Sequence, residues 1–263
     1  MKHNLRFICM LIKLKLSHLM VFRLSFFGGF LADAMLFVIQ LLTFELIYGQ
    51  VDSIGGWSRG QMMIFIGTFS FINGIAMVLF FFGLNDIPSK IREGGLDLYL
   101  TKPANVLLRL TFESVNPGSV FLLLLSGVIV AHGVAVAEVH VTAALVLLYS
   151  ALVLLMTLLY YDLSLIIRTL PFFFITADTV QRLEGNMLDL NFRVPGVLYK
   201  KALKVVFYLI CPYGIMATIP TQALTRTVTP LGLGYAIGVT VLFTFFALWF
   251  WRFGMRRYKS ASS

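Results

Sequence analysis

The sequence predicts an all-α membrane protein with six transmembrane helices, and composition, segment length and charge placement lead to that prediction. Hydrophobic residues make up 59% of the 263 positions and charged residues only 13%, with a mean hydropathy of +0.89. Soluble domains carry roughly a quarter charged residues. A chain with half that density exposes a surface that lipid must solvate, so we expect a single membrane domain over residues 1–263.

Five stretches are long and apolar enough to cross a bilayer. A helix rises about 1.5 Å per residue, so a hydrocarbon core of about 30 Å needs about 20 apolar residues. The stretches are residues 24–48, 61–84, 117–137, 141–167 and 231–251. The remaining crossing must come from the region between the last two.

Basic residues predict the orientation of these spans. They concentrate in residues 1–23, in the loop of residues 85–110 and in the C-terminal tail. Their members are Lys2, Arg6, Lys13, Lys15 and Arg23, then Lys90, Arg92, Lys102 and Arg109, then Arg252, Arg256, Arg257 and Lys259. Short loops rich in Lys and Arg stay in the cytoplasm. We therefore expect a multi-pass protein of the cytoplasmic membrane with both termini inside.

The region before the last span allows two interpretations. Either residues 204–224 form the fifth span, or residues 170–190 form it and residues 192–226 fold back as an external re-entrant hairpin. Four charged side chains in the second candidate span, costly in lipid, favour the first interpretation: Asp178, Arg182, Glu184 and Asp189. Pro212 and Pro220 favour the second, because they break the 204–224 stretch. The residues alone leave both open.

Residues 1–23 predict an interfacial helix that lies flat on the membrane. Apolar residues share one helical face, at Leu5, Ile8, Ile12, Leu16 and Leu19. Lys2, Arg6 and Lys13 gather on the other side, where they would meet anionic lipid headgroups. The lysines recur through the stretch, and no small-residue cleavage site follows, so we do not expect a cleavable signal peptide.

The segment of residues 85–103 carries the most specific pattern. Pro88 suits the first turn of a short helix, and the paired glycines Gly94 and Gly95 end that helix. A second amphipathic piece follows and stops at Pro103. This pattern predicts a helix-turn element on the cytoplasmic surface between spans 2 and 3, apolar enough to dock on a partner.

This run resembles the segment that follows the second span in the permeases of type 2 ABC exporters. The matching residues are Ile87-Pro88, then Ile91-Arg92-Glu93-Gly94-Gly95-Leu96-Asp97, then Leu100-Thr101-Lys102-Pro103. The pattern is most similar to that of a branch of small six-span bacterial permeases, most of them uncharacterised. Weaker similarity continues at Val194-Pro195, Cys211-Pro212 and Ile219-Pro220, so the resemblance covers nearly the whole chain.

The resemblance implies a transport permease that draws its energy from another subunit. In that family, a separate cytoplasmic ATPase holds ATP and Mg²⁺, and two permeases, identical or related, form the pathway by alternating access. The chain contains no G-x-x-x-x-G-K-[ST] nucleotide motif. We therefore expect a permease that exports its substrate, is not itself an enzyme, and holds no cofactor or metal.

The resemblance also assigns functional residues. The segment between spans 2 and 3 would be a coupling helix seated in the ATPase, and the N-terminal helix would be a second contact. The coupling residues would be Ile87, Lys90, Ile91, Arg92, Glu93, Gly94, Gly95, Leu96, Asp97 and Leu100. The fifth span would lie near residues 172–192 and the external hairpin over residues 195–224. That topology places Lys200, Lys201 and Lys204 outside, against the usual charge bias.

Ionisable residues within spans are candidates for a substrate path, because a charge in lipid is energetically costly and is usually kept only where it has a function. The candidates are Asp33 in the first span and Asp178 with Arg182 in the polar fifth segment, where Arg182 could pair with Asp178 one turn earlier. Glu45 lies near the outer end of the first span, where it can reach headgroups.

Other polar residues have simpler interpretations. Salt bridges at a helix end are expected for Asp162, Arg168 and Asp178. His132 and His140 flank an external turn with Glu138 between them, and a solvated turn is expected there, because no third metal ligand accompanies them.

Other function classes fit less well. The net charge of +9 does not predict nucleic-acid binding, because the basic residues form no solvated face. The two cysteines form no CxxC pair, and no His/Asp/Glu cluster suggests a membrane-embedded enzyme. The alternative is an ion-coupled secondary carrier or a non-catalytic membrane scaffold. Asp33, Asp178 and Glu184 could couple ions in a carrier, but no inverted repeat is evident.

Overall fold

The computed structural model describes residues 23–101, 105–174 and 178–258. Their regular structure is helical, apart from one isolated antiparallel bridge between Ile54 and Trp57. The predicted interfacial helix of residues 1–23 lies almost entirely outside the described residues. The all-helical class is therefore confirmed for the part of the chain that the structure describes.

The α-helices of these residues are numbered in chain order. They are α1 (Arg23–Tyr48), α2 (Arg59–Leu79), α3 (Phe81–Asn85), α4 (Ile87–Arg92), α5 (Asp97–Leu100), α6 (Val106–Phe112), α7 (Val120–Val136), α8 (Ala143–Thr169), α9 (Asp178–Arg193), α10 (Lys201–Val205), α11 (Thr218–Leu224) and α12 (Pro230–Arg257). Short 3₁₀ turns cover Pro117–Ser119, Leu170–Phe172, Gly196–Leu198 and Pro212–Ile215, and a π turn covers Val206–Ile210.

Four of the described helices are long and apolar enough to cross a membrane: Arg59–Leu79, Pro117–Val136, Ala143–Phe172 and Pro230–Arg257. A bent pair, Lys201–Ile210 and Pro212–Leu224, would be a fifth candidate, and its two halves meet at 84°. Helix α1 covers the first predicted stretch. Its part with described side chains, Ala34–Tyr48, is apolar but shorter than the helices that could cross a membrane. The second span ends earlier than predicted, because Phe80 leaves the helical conformation at φ −140°.

Three spans begin at side-chain caps that the local sequence supplies. The hydroxyl of Ser58 accepts from the backbone N–H of Gln61, whose side chain in turn accepts from the backbone of Ser58. Thr142 and Thr229 cap α8 and α12 through the hydroxyl alone, which accepts from the backbone N–H of Leu145 and of Gly232. Such caps satisfy N–H groups that the first helical turn leaves without partners.

Helices α2 and α7 pack closely through glycines. On α2 the glycines recur every seven residues, and each faces a residue of the neighbouring helix that follows the same spacing. The contacts join Gly60 to Ala137, Gly67 to Val130 and Gly74 to Leu123. Small residues let two helix backbones approach, and a seven-residue repeat keeps the seam facing its partner. The two helices therefore pack as a close antiparallel pair, in which α2 is the more deeply buried member.

The bundle has two ends, which we name by their structure. The turn end carries the loops of residues 49–58, 137–142 and 225–229. The short-helix end carries α3 to α6 and the Leu170–Phe172 turn.

The segment after residue 178 contacts both ends. Glu184 of α9 contacts Arg168 near the short-helix end, whereas Leu198 lies against Gly55 at the turn end. The bent pair that follows returns to the turn end, where Arg226 donates to the backbone oxygen of His140 at 2.9 Å.

Candidate functional site

The segment between α2 and α6 has the helix-turn form that its sequence predicts. Helix α4 begins after Asp86 with Pro88 in its first turn and ends at Arg92. Gly94 follows with φ +74°, a conformation that glycine adopts at little cost and other residues rarely do. Helix α5 then begins after Leu96. The predicted glycine stop is therefore confirmed at Gly94.

Apolar side chains fasten this segment to the core of the helix bundle. Ile87 and Leu96 are completely buried, and Tyr99 is 9% exposed. Packing beneath α3 is equally close, since a side chain at Gly83 would collide with the backbone oxygen of Leu110. Although Ile87 and Leu96 belong to the predicted coupling residues, they anchor the segment and offer no side-chain surface to a partner.

A charged cluster fixes the segment from its other side. Lys90 pairs with Glu113 of the loop after α6, and the Tyr99 hydroxyl donates to both Glu113 oxygens at 2.7 and 2.8 Å. The guanidinium of Arg109 lies over the Tyr99 ring, 4.4 Å from its centroid. Burial lowers the pKa of Lys90, but its hydrogen bonds with Glu113 and Tyr99 outweigh burial, so the pKa lies above its ordinary value.

The outward side of the segment is amphipathic. Leu98 is 69% exposed and Leu100 is 50% exposed. Arg92 and Glu93 are also exposed, one on each side of the end of α4. The other predicted coupling residues are half-buried, namely Lys90, Ile91, Gly94, Gly95 and Asp97. The segment thus combines a rigid attachment with an exposed apolar and charged rim.

A polar network begins at the exposed Asn85, where this segment starts, and continues into the protein interior. The side-chain oxygen of Asn85 accepts from Arg168 at 3.1 Å (Nε) and 2.6 Å (Nη2). Arg168 pairs with Glu184 of α9, and their side chains are only 7% and 2% exposed. Glu184 also accepts from the Ser164 hydroxyl at 2.9 Å and from the Tyr213 hydroxyl at 3.0 Å. We name these five residues the Arg168 network.

The network corrects one expectation and identifies residues that the pattern did not indicate. Arg168 does form a salt bridge, but its partner is Glu184 and not Asp162, which instead accepts from the Thr244 hydroxyl at 2.5 Å. Nothing local to Tyr213 indicated its role. The available signal was the glutamate itself, since a buried carboxylate needs a cationic or hydrogen-bonding partner.

A cavity of about 780 Å³ opens beside the Arg168 network. Besides the network residues Asn85, Arg168 and Glu184, its lining includes the exposed Arg182. Gln181 lies there as well, and its buried Nε2 has no hydrogen-bond partner among the described residues.

Aromatic and apolar side chains, among them Phe81, Tyr160 and Leu188, complete the wall of this cavity. The predicted substrate-path residue Arg182 therefore lies at a cavity that could hold a ligand. The side chains of the other two candidates, Asp33 and Asp178, lie outside the described part of the structure.

The remaining candidates lie at the turn end. Glu45 pairs with Arg59 at 2.5 Å and so ties the end of α1 to the start of α2. His132 and His140 are exposed, and the carbonyl oxygen of His140 accepts from Arg226. Among the described residues, no three His, Cys, Asp or Glu side chains are grouped as metal ligands would be.

Comparison with known proteins gives one match. The sequence model of a family described as "ABC-2 family transporter protein" matches residues 34–262. No curated protein and no solved structure matches the chain.

Proposed function

The chain belongs to the ABC-2 transporter family, since the family match spans residues 34–262, and we propose that it is the permease of an exporter driven by a separate ATPase. As a member of this family with several apolar helices, it is a multi-pass membrane component of an ABC transporter. Export, the identity of the ATPase and the transport cycle are the proposed part. In this proposal ATP and Mg²⁺ are held by the ATPase, and the permease supplies the pathway.

The observation that carries the proposal is the construction of the segment between α2 and α6. Its inner side is fixed by Ile87, Leu96 and the Lys90–Glu113 pair, while Leu98 and Leu100 remain exposed. An element that must transmit a push needs both a rigid attachment and a free contact surface. We infer that the ATPase contacts Leu98, Leu100, Arg92 and Glu93.

The Arg168 network supports the route by which such a push reaches the pathway. Asn85 immediately precedes the coupling segment, Arg168 belongs to α8, Glu184 to α9 and Tyr213 to the bend of the Lys201–Leu224 pair. Buried polar groups in contact have few alternative arrangements, so displacement of one partner must move the others or break the network. Alternating access would then be a concerted shift of these helices.

The proposed topology has six spans, with both termini on the cytoplasmic side. Helix α1 would be the first span and α9 the fifth, while the Lys201–Leu224 pair would be an external re-entrant hairpin. The contacts of Leu198 and Arg226 with the turn end support this arrangement. The salt bridges of α9 support it too, because pairing with Arg168 lowers the cost of placing Glu184 at membrane depth. The cytoplasmic side would be the short-helix end.

Two permeases would form the pathway, either two copies of this chain or this chain and a relative. Substrate would enter through the cavity beside the Arg168 network, where Arg182 supplies a positive charge.

Co-purification from the native host tests the proposal. The tagged chain is extracted in mild detergent, and the accompanying proteins are identified by mass spectrometry. We expect an ATPase with a Walker motif, and we expect Leu98→Asp with Leu100→Asp to abolish its recovery. Val141→Asp is the matched control, because Val141 is 52% exposed but lies in the loop of residues 137–142 at the turn end, away from the coupling segment.

Recovery of the ATPase with the Leu98/Leu100 variant would contradict the proposal that the ATPase contacts these two residues. A chain that never recovers an ATPase, even after cross-linking, and whose transport follows a proton gradient, would point to the ion-coupled carrier instead.

A further inference from the structure

A groove runs along the outer face of the last helix. It encloses about 360 Å³ and is lined by Phe245, Leu248, Trp249, Arg252, Phe253 and Arg256. Only 17% of the apolar window of α12 is buried inside the protein. Phe245 and Trp249 are 73% and 58% exposed. Because α12 is a candidate span, this face meets either lipid or another protein.

One wall of the groove is a stack of aromatic rings. The rings of Trp249 and Phe253 are nearly parallel, at 2° with centroids 5.6 Å apart. Phe173, which follows α8, stacks on Phe253 at 5.4 Å and on Phe250 at 5.2 Å. Stacking across two elements holds these rings in place. The groove is therefore a preformed surface and does not depend on one loose side chain.

The other feature of the groove is a pair of arginines that form no salt bridge with any residue that the structure describes. Both Arg252 and Arg256 are exposed. Helix α12 contains no acidic residue. Arg257 differs, because its guanidinium lies over the rings of Phe253 and Phe173, at 5.0 and 5.6 Å.

The groove lies at the level in the membrane where the headgroup and upper acyl chains of a phospholipid would lie. At about 1.5 Å per residue, Phe245 lies about 22 Å along α12 from Pro230 and Arg252 about 33 Å. The hydrocarbon core is about 30 Å thick. If α12 begins at one interface, Phe245 and Trp249 lie beside acyl chains and Arg252 and Arg256 lie at the opposite headgroup layer.

We propose that this groove binds an anionic phospholipid, with its phosphate between Arg252 and Arg256 and its acyl chains along Phe245 and Trp249. Guanidinium groups bind phosphate oxygens through charge-assisted, often bidentate hydrogen bonds. Two such groups without a carboxylate leave a local excess of positive charge, which favours a lipid of net negative charge over a zwitterionic one. This site depends on α12 crossing the membrane and not on the proposed coupling to an ATPase.

Native mass spectrometry and thermal unfolding of the full-length chain test the proposal. The chain is purified from its host and measured with added phosphatidylglycerol or phosphatidylcholine. We expect the wild type to retain phosphatidylglycerol and to unfold at a higher temperature with it, but not with phosphatidylcholine. Arg252→Gln and Arg256→Gln should each reduce the retained phosphatidylglycerol at least fivefold. Arg257→Gln is the matched control, because it removes the same charge from the same helix end at a residue that does not line the groove and touches only the ring of Phe253 among its lining residues.

Three outcomes would overturn the site. Equal effects of all three arginine variants would mean that only the general positive charge of this end matters. Equal stabilisation by phosphatidylcholine would mean that the groove does not select charge. Disulfide formation between two copies carrying Trp249→Cys, with no lipid retained, would mean that a second copy covers this face. A variant that fails to fold is replaced by Arg252→Lys, which should keep part of the selectivity through its charge.

Discussion

The side-chain oxygen of Asn85 accepts two hydrogen bonds from the guanidinium of Arg168, although 83 residues separate the two in the chain. Asn85 ends α3, directly before the proposed coupling segment, and Arg168 lies in the last turn of α8. Through Glu184 the same guanidinium is connected to the Tyr213 hydroxyl. This arrangement connects the surface that would contact an ATPase with the bend of the Lys201–Leu224 pair, and its consequences can be measured.

Removing one charge of the buried pair should destabilise the protein. Glu184→Leu leaves Arg168 without its carboxylate, and breaking a buried pair in this way costs about 3–5 kcal/mol. We expect a clearly lower unfolding temperature in detergent. The unfolding temperature is measured by size-exclusion chromatography of samples heated to increasing temperatures. Arg168→Met combined with Glu184→Leu removes both charges and should recover most of the loss. A double variant as unstable as the single one would show that the pair is not the source of the effect.

Loss of the Tyr213 hydroxyl should uncouple transport while the fold is preserved. Tyr213→Phe removes a hydrogen bond to a charged group, which is worth about 1.5–3 kcal/mol, and leaves the ring packing unchanged. We expect the transport rate to fall roughly tenfold or more while the rate of ATP hydrolysis stays near normal. Both rates are measured in proteoliposomes that also contain the partner ATPase.

Tyr149→Phe is the control for this experiment. The Tyr149 hydroxyl bonds Thr68 at 2.9 Å, outside the Arg168 network. Equal transport by both variants would remove Tyr213 from the coupling route.

The glycine seam between α2 and α7 should tolerate no side chain. A Cβ at Gly67 would lie 2.9 Å from the backbone nitrogen of Val130, so Gly67→Val must push the helices apart. Overpacking of this kind costs about 1–3 kcal/mol. We expect less folded protein in membranes, measured by fluorescence-detected chromatography. Gly238→Val should have little effect, because nothing lies within 4 Å of a Cβ at Gly238.

Substitutions of Leu96 and Leu98, two leucines of the proposed coupling segment, should affect the stability of the protein differently. Leu96→Asp places a charge in a fully buried position, so folded protein should be lost before any partner is involved. Leu98→Asp changes a side chain that is 69% exposed and should leave the unfolding temperature near that of the wild type. Thermal unfolding of the chain alone separates the two. Equal destabilisation by both would mean that Leu98 is also a core residue.

Much of the fold could be predicted because its signals are local. Long apolar runs predicted α2, α7, α8 and α12, although the C-terminal ends of α2 and α12 differ from the prediction by five and six residues. The cost of exposing a backbone to lipid selects helices wherever such runs occur. The stop at Gly94 was equally predictable, because a positive φ is a property of one residue.

The candidate site was only partly predictable, because its contacts join distant segments. The amphipathic pattern predicted the helix-turn segment between α2 and α6 but not which of its residues face inward, and Ile87 and Leu96 are buried. It also gave no partner for Glu184, because the nearest basic residue, Arg182, is two positions away and faces another side of the helix. The true partner, Arg168, lies on a different helix.

The sequence by itself determined that this is a membrane protein with long apolar helices, and it predicted a helix-turn segment between the second and third of them. These properties follow from hydropathy, caps and glycines that act within a few residues. Only the tertiary structure decided that Asn85, Arg168, Glu184 and Tyr213 form one network, and that Arg252 and Arg256 share a groove without a carboxylate. Those relationships depend on how helices far apart in the chain pack, because a charge is paired by whichever group the packing brings within reach.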